Sequence, residues 1–298
     1  MSDTVGKNSL HGNIAGSLNG GPAITLQLPT AICLLVGCVL LQVPIYLAAR
    51  TILGKNLAVA AATLFGMFLP AVVAVLWISP HPGDTFRLRS IPLAGIISAA
   101  GAALSFSLLV SGAFEWLLRS GRIPERLIEL LEREEMLFRD IFRLQSTLDI
   151  AIVGLVLVFI APLAEELIFR GVFQGSLESA VGHWPGILIA AATFGLLHGR
   201  IRFIPVSLLG LLMGYLVMRT NSLPAGIVAH SIHNLAILCL SQFFARHPAS
   251  RTIPLLTAVF GAVALVVFLG RFHSLTRHHP RMPRGRPNRY SLPSPGMS

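Results

Sequence analysis

Charged residues are scarce in this sequence. Only 12% of its 298 residues are Asp, Glu, Lys or Arg, whereas 54% are hydrophobic. A soluble globular domain carries about twice that share of charge. The composition therefore argues against a soluble domain and indicates a chain embedded in a lipid bilayer.

Several familiar reactive signatures are also missing. The three cysteines are Cys33, Cys38 and Cys239, too few and too scattered for a disulfide framework or a zinc knuckle. No cysteine lies near a histidine cluster, and the chain has neither an HExxH zinc-protease motif nor a GxSxG nucleophile elbow. If this chain hydrolyses anything, an activated water is a better candidate nucleophile than a side chain.

Long apolar runs dominate the sequence instead. A helix needs about 20 apolar residues to cross the hydrocarbon core of a bilayer. Eight runs approach or exceed that length, of which the fifth and sixth are short: 26–49, 57–78, 91–114, 150–168, 184–197, 203–218, 223–244 and 253–269. We therefore predict an all-α fold, a polytopic transmembrane helical bundle of about eight spans.

Composition shifts along the chain divide it into five parts. We predict a flexible tail at 1–25, N-terminal transmembrane helices at 26–118, a linker helix at 119–147, a second membrane region at 148–270 and a basic disordered tail at 271–298. The tail follows a membrane span, so contact with anionic lipid is expected rather than contact with nucleic acid. A cytoplasmic C-terminus is expected on the same ground, in the plasma or inner membrane if the source is bacterial.

The linker has six arginines and six acidic residues, and its apolar residues share one helical face. These apolar residues are Leu127, Leu130, Leu131, Leu137, Phe138, Ile141 and Leu144. One interpretation is an amphipathic helix that lies on the membrane surface or packs on the bundle. The other is a lid or substrate guide over a functional site.

Three polar clusters interrupt the apolar second half. They are, in chain order, Glu165, Glu166 and Arg170; Phe194 and His198; and His230, His233 and Asn234. Residues four apart share a helical face, so Glu166 can pair with Arg170, whereas Glu165 points about 100° away. Ionisable residues within spans are costly and usually face a bundle interior or an aqueous cavity. Carboxylates, imidazoles and an amide supply the base, its partner and the oxyanion donors that a hydrolytic site needs.

The three clusters together resemble a known signature. Glu165-Glu166-x-x-x-Arg170, Phe194-x-x-x-His198 and His230-x-x-x-Asn234, in this order, are similar to the motifs of the CAAX prenyl protease and bacteriocin-processing family of intramembrane proteases, also called CPBP or Abi. The resemblance covers roughly residues 150 to 240. It implies a helical bundle with a site sunk between helices in a water-accessible cavity, and it makes 148–270 the catalytic membrane core.

The resemblance also implies a role for each polar residue. Glu165 would be the base that activates water, assisted by His198. His230 and Asn234 would stabilise the oxyanion of the tetrahedral intermediate. Glu166 would hold its helix in place through the arginine of its own motif, or help to polarise the water.

Two catalytic types are open for such a protein, a metalloprotease and a metal-independent glutamate protease. Catalytic zinc usually has three protein ligands. Here they would be Glu165, His198 and His230. His233 lies outside the family pattern and is expected to pack or hydrogen-bond beside the site. Arg200 and Arg202 are expected to mark the membrane edge or to steer a carboxylate of the substrate.

The sequence thus favours an intramembrane endopeptidase that acts on a membrane-bound or lipidated protein, in CAAX-type, C-terminal or leader processing. One alternative is a non-catalytic immunity or scaffolding protein of the same fold. Another is a transporter or proton relay, because buried Glu and His residues also serve there. A transporter would be expected to repeat its first half or to break paired helices, and the sequence shows neither pattern.

Overall fold

The computed structural model describes residues 25–141 and 146–277. Within these ranges the regular elements are all helices. They are α1 (Leu28–Leu53), α2 (Lys55–Ile78), α3 (Leu93–Arg119), α4 (Glu125–Ile141), α5 (Thr147–Val181), α6 (His183–Leu197), α7 (Phe203–Thr220), α8 (Leu223–Ala245) and α9 (Thr252–Leu275), with a single helical turn at Pro82–Thr85 before α3. The predicted all-α bundle is confirmed.

Seven of these helices are long and apolar enough to cross a membrane, namely all except α4 and α6. Helix α6 corresponds to the short run predicted at 184–197 and is apolar but has 15 residues. Many large apolar side chains point outward, including Trp77 at 88% and Val266 at 74% exposure. An integral membrane protein follows, because only lipid would cover so much apolar surface without cost.

The predicted ends and linker map onto the structure only in part. Residues 1–24 and 278–298, which hold nearly all of the two predicted tails, lie outside the described residues. Helix α9 continues to Leu275. Helix α4 is the predicted linker helix, and residues 142–145, with Leu144 among them, are likewise not described.

Close helix packing relies on glycine where two backbones meet. A Cβ on Gly112 of α3 would stand 2.6 Å from the backbone nitrogen of Ala258 in α9. Small residues permit this approach, which drives helix association in lipid, where burying apolar area brings little gain. Helices α8 and α9 both pack along α3, and α6 packs between α7 and the end of α5.

Pro162 widens α5 just before the first polar cluster. Proline has no N–H and cannot donate to a carbonyl in the preceding turn. The N–H of Ala161 bonds five residues back to the carbonyl of Val156, and the segment Val156–Ile160 is π-helical. The carbonyl of Leu157 is therefore left without a helical donor, because the residue five positions on is the proline. A second π-helical segment follows Glu166, and such segments are frequent at functional sites.

A buried ion pair anchors the loop between α2 and α3. Arg87 is fully buried and has a left-handed backbone, with φ of 55°. Its Nη2 lies 3.0 Å from Oε2 of Glu178 near the end of α5. Its carbonyl accepts the N–H of Leu223, the first residue of α8. Gln174 donates to the other oxygen of Glu178 at 2.6 Å. The sequence alone did not single out this network, which ties the N-terminal helices to the helices that carry the polar clusters.

Glu178→Gln should lower the midpoint of thermal unfolding in detergent by roughly 5 °C or more, because breaking a buried ion pair by removing one charge costs about 3–5 kcal/mol. Asp84→Asn is the matched control, since Asp84 pairs with Arg89 at 3.2 Å with both side chains at least 40% exposed. Exposed pairs contribute about 0–1 kcal/mol, so the control should shift the midpoint by about 2 °C or less. Equal shifts in the two variants would contradict the assignment of Arg87 as an anchor.

Candidate active site

Helices α5, α6 and α8 bring three predicted residues together around one carboxylate oxygen. Oε2 of Glu165 lies 3.7 Å from Nε2 of His198 and 3.8 Å from Nε2 of His230. This oxygen is buried and has no hydrogen-bond partner. The polar clusters of three separate segments of the chain therefore converge on one point.

His198 is oriented by its own helix. Its Nδ1 lies 2.7 Å from the carbonyl of Phe194, one turn earlier. A carbonyl only accepts, so Nδ1 carries a proton and the ring turns Nε2 toward Glu165. The side chain is 35% exposed, which makes it the open side of the site. Gly199, with φ of +102°, turns the chain away immediately after the histidine.

His230 is oriented by a carboxylate instead. It is buried, and its Nδ1 lies 3.1 Å from Oε1 of Glu166. The carboxylate is placed to accept the Nδ1 proton, and the ring turns Nε2 toward Glu165. One carboxylate oxygen and two imidazole nitrogens thus converge, at separations that suit a bridging water rather than direct hydrogen bonds.

Glu166 is fully buried and has two partners. Its Oε1 lies 3.0 Å from Nη1 of Arg170 one turn later, which is the pair that the spacing predicted. The contact with His230 was not predicted, because it joins residues 64 positions apart. Arg170 also donates to the carbonyl of Gly210 in α7 at 3.4 Å. Glu166 therefore holds α5 to α8 while Arg170 holds α5 to α7.

The ring of Phe194 forms one wall of the site. The guanidinium of Arg170 stands over this ring, 4.3 Å from its centroid. The rings of His198 and His230 lie with their centroids 4.4 and 5.8 Å from it. A cation over an aromatic face is stabilised by the ring quadrupole, most strongly when it is desolvated. An aromatic residue at this motif position thus touches both imidazoles and the buried cation.

Asn234 bonds to the backbone of α5. Its Nδ2 donates to the carbonyl of Leu157 at 2.7 Å, which is the carbonyl that Pro162 leaves without a helical donor. Pro162 was not singled out from the sequence, although a proline three residues before Glu165 was the available signal. An amide nitrogen carries two hydrogens, so one remains for another acceptor. The oxyanion role of Asn234 stays a prediction.

His233 lies on the side of α8 that faces α3. Its Nδ1 is 2.8 Å from Oγ of Ser107, and its ring packs against Phe106 at a centroid distance of 5.9 Å. The expectation that this histidine packs and hydrogen-bonds beside the site is confirmed.

Glu165, His198 and His230 carry the donor types that zinc accepts. Bonds of about 2.0–2.1 Å in a tetrahedron place ligand atoms about 3.4 Å apart. The separations of 3.7 and 3.8 Å exceed that value. In the part of the chain that the structure describes, no group of three or more His, Cys, Asp or Glu side chains is arranged to hold a metal ion. As arranged, these side chains stand wider apart than zinc ligands, and both catalytic types, with and without zinc, stay open.

Comparison with known proteins identifies a family for this region. Residues 147–236 match the family model described as Rce1-like, type II CAAX prenyl endopeptidase. The match begins at the first residue of α5, ends within α8 and contains all three motifs, so the predicted family resemblance is confirmed for this segment. No curated protein and no solved structure matches the chain.

Asn234→Ala should destabilise the protein by about 1–3 kcal/mol, because the carbonyl of Leu157 loses its donor. The loss should be smaller in a Pro162→Ala background, since alanine restores an N–H to α5. Thermal unfolding of the two single variants, the double variant and the parent measures this coupling. If the destabilisation in the double variant equals the sum of the two single variants, the proline is not the reason that the Leu157 carbonyl bonds to Asn234.

Proposed function

We propose that the protein is an intramembrane endopeptidase that hydrolyses a peptide bond with a water molecule activated by Glu165. The observation that carries this proposal is the convergence of Oε2 of Glu165 with Nε2 of His198 and Nε2 of His230 within 4 Å. The Nδ1 atom of each imidazole is hydrogen-bonded, so both rings are held with Nε2 toward Glu165.

In the first step, a water bound among these atoms donates one proton to Glu165 and is oriented by His198. Glu165 takes that proton as the oxygen attacks the carbonyl carbon of the scissile bond. The unpartnered Oε2 suits this role, because a base must keep a lone pair available to its substrate. The separations fit a hydrogen-bonded bridge through water rather than direct contact.

In the second step, charge that develops on the carbonyl oxygen needs donors. His230 turns Nε2 toward the site while Glu166 accepts from its Nδ1, so a proton on Nε2 is placed to donate to that oxygen. Asn234 retains one amide hydrogen after its bond to Leu157. Glu165 then returns its proton to the leaving amine, the C–N bond breaks, and the carboxylate is restored.

The surroundings suit a membrane-associated substrate. The side chain of Glu165 is 19% exposed and that of His198 is 35% exposed, so the site opens on the His198 side while Glu166 is sealed. We infer that the substrate is a membrane-bound or lipidated protein, of the CAAX type or one that undergoes C-terminal or leader processing. We further infer a cytoplasmic C-terminus whose basic tail contacts anionic lipid, in the plasma or inner membrane of a bacterial source.

The decisive experiment compares the parent protein, Glu165→Gln and Glu166→Gln in detergent against lipidated and unlipidated C-terminal peptides, with and without a strong chelator. Glu165→Gln should lose at least about 10²-fold in cleavage rate, because the base is removed. It should unfold at the same temperature as the parent, because Oε2 forms no hydrogen bond. Glu166→Gln, in contrast, should lower the unfolding midpoint, because its carboxylate offsets the charge of buried Arg170.

Full activity in Glu165→Gln would overturn the proposal. Activity that survives the chelator would identify a metal-independent glutamate protease, and activity abolished by the chelator and restored by zinc would identify a metalloprotease. Failure of the well-folded parent to cleave any peptide would favour the non-catalytic alternative.

Gly226→Ala tests whether the position of Glu166 matters for catalysis. A Cβ at Gly226, one turn before His230 in α8, would stand 2.8 Å from Oε2 of Glu166. We expect cleavage to fall by roughly tenfold or more, since a small displacement of the supporting carboxylate also moves the histidine. Gly154→Ala in α5 is the control, because nothing lies within 4 Å of a Cβ there. Equal activity in the two variants would contradict this role for Glu166.

A further inference from the structure

Helix α4 carries an acidic residue where an amphipathic helix is expected to be apolar. Glu134 lies near its middle, and the residues three, four and seven positions away on both sides are all apolar. They are Leu127, Leu130, Leu131, Leu137, Phe138 and Ile141. Residues at these spacings share one helical face. Glu134 therefore stands at the centre of the apolar face, where a carboxylate without partners is costly.

The partners of Glu134 lie in the loop that follows His198. Its Oε1 accepts the backbone N–H of Ile201 at 3.4 Å, and its Oε2 lies 3.8 Å from Nε of Arg202. A Cβ on Gly199 would stand 3.0 Å from Oε1 of the same carboxylate. The anomaly in the apolar face is therefore explained by a specific contact between α4 and the residues immediately after His198.

The orientation of His198 depends on this loop. The histidine follows the last residue of α6, and α7 begins only at Phe203. Its side chain is 35% exposed and contacts Phe194 and Glu165. The backbone between His198 and Arg202, whose carbonyl accepts the first hydrogen bond of α7 from Val206, lies outside both helices, so an anchor there restricts where the imidazole can point.

We propose that Glu134 is a positioning residue for His198. Through the N–H of Ile201 and the guanidinium of Arg202, it clamps loop 199–202 and so fixes the imidazole against Glu165. This inference rests on the proposed function, and it chooses between the two interpretations of the linker. Helix α4 positions a residue of the site through Glu134 and does not only lie on the membrane surface.

The first test measures the clamp without reference to activity. Hydrogen–deuterium exchange is followed in the peptide that contains Ile201, in detergent-purified parent protein, Glu134→Ala, Glu129→Gln and Glu132→Gln. The last two are matched controls, because both residues are exposed on α4. Glu134→Ala should exchange at least about threefold faster at this amide, whereas the controls should match the parent.

The second test measures the consequence for catalysis. Glu134→Ala should lower kcat by about tenfold and leave KM within about twofold, because the imidazole is misplaced while the substrate surface is intact. Glu134→Gln keeps an oxygen for the N–H of Ile201 and should recover most of kcat. Arg202→Gln should cost less than Glu134→Ala and, combined with it, add little.

The outcomes separate this inference from the proposed function. Faster exchange with reduced kcat, unchanged KM and recovery in Glu134→Gln supports it. Unchanged exchange in Glu134→Ala overturns it whatever the activity, and so does faster exchange with parental kcat. A parent protein that cleaves nothing defeats the proposed function, while the exchange comparison still decides whether Glu134 holds the loop. If Glu134→Ala does not fold, Glu134→Leu takes its place, because leucine suits the apolar face and removes both acceptor oxygens, and unchanged exchange in that variant would overturn the proposal.

Discussion

The pairing of Glu166 is the interaction on which the site depends. Its carboxylate is completely buried, and a buried charge is tolerated only when it is paired and hydrogen-bonded. Arg170 and His230 both meet the same oxygen, so one carboxylate offsets a buried cation and orients an imidazole. That imidazole faces the other glutamate, Glu165, whose own oxygen is left without a partner. The two adjacent glutamates thus have different surroundings, since Oε1 of Glu166 meets Arg170 and His230 while Oε2 of Glu165 faces two imidazole nitrogens.

Irregular helix geometry supplies the second constraint. In a membrane every backbone polar group must find a partner within the protein. Pro162 removes one helical donor and the wide turn before it frees the carbonyl of Leu157, which then takes the amide of Asn234. The break that costs α5 a hydrogen bond therefore links it to α8 at the level of the site. A proline and an asparagine 72 positions apart are thus linked through one hydrogen bond to the carbonyl of Leu157.

The helices outside the matched segment also contribute to the site. The loop before α3 reaches the end of α5 and the start of α8 through Arg87, so it is joined to the helix of the two glutamates and to the helix of His230. Helix α4 reaches the loop after His198 through Glu134. The region that matches the family model contains the three polar clusters, and Arg87 and Glu134 contact it from outside.

The sequence by itself determined two features, the membrane bundle, which depends on composition, and the contacts between residues one turn apart on the same helix. The apolar runs gave a membrane bundle, and the four-residue spacing gave the pair of Glu166 and Arg170, because one helical turn places them together whatever the fold. Contacts between distant segments were decided by the tertiary structure alone. Glu166 meets His230 across 64 positions, Asn234 meets Leu157 across 77, and Glu134 meets Ile201 across 67. No local periodicity encodes which helix faces which, because that choice comes from packing the whole bundle, and it is this packing that makes three separate polar clusters into one site.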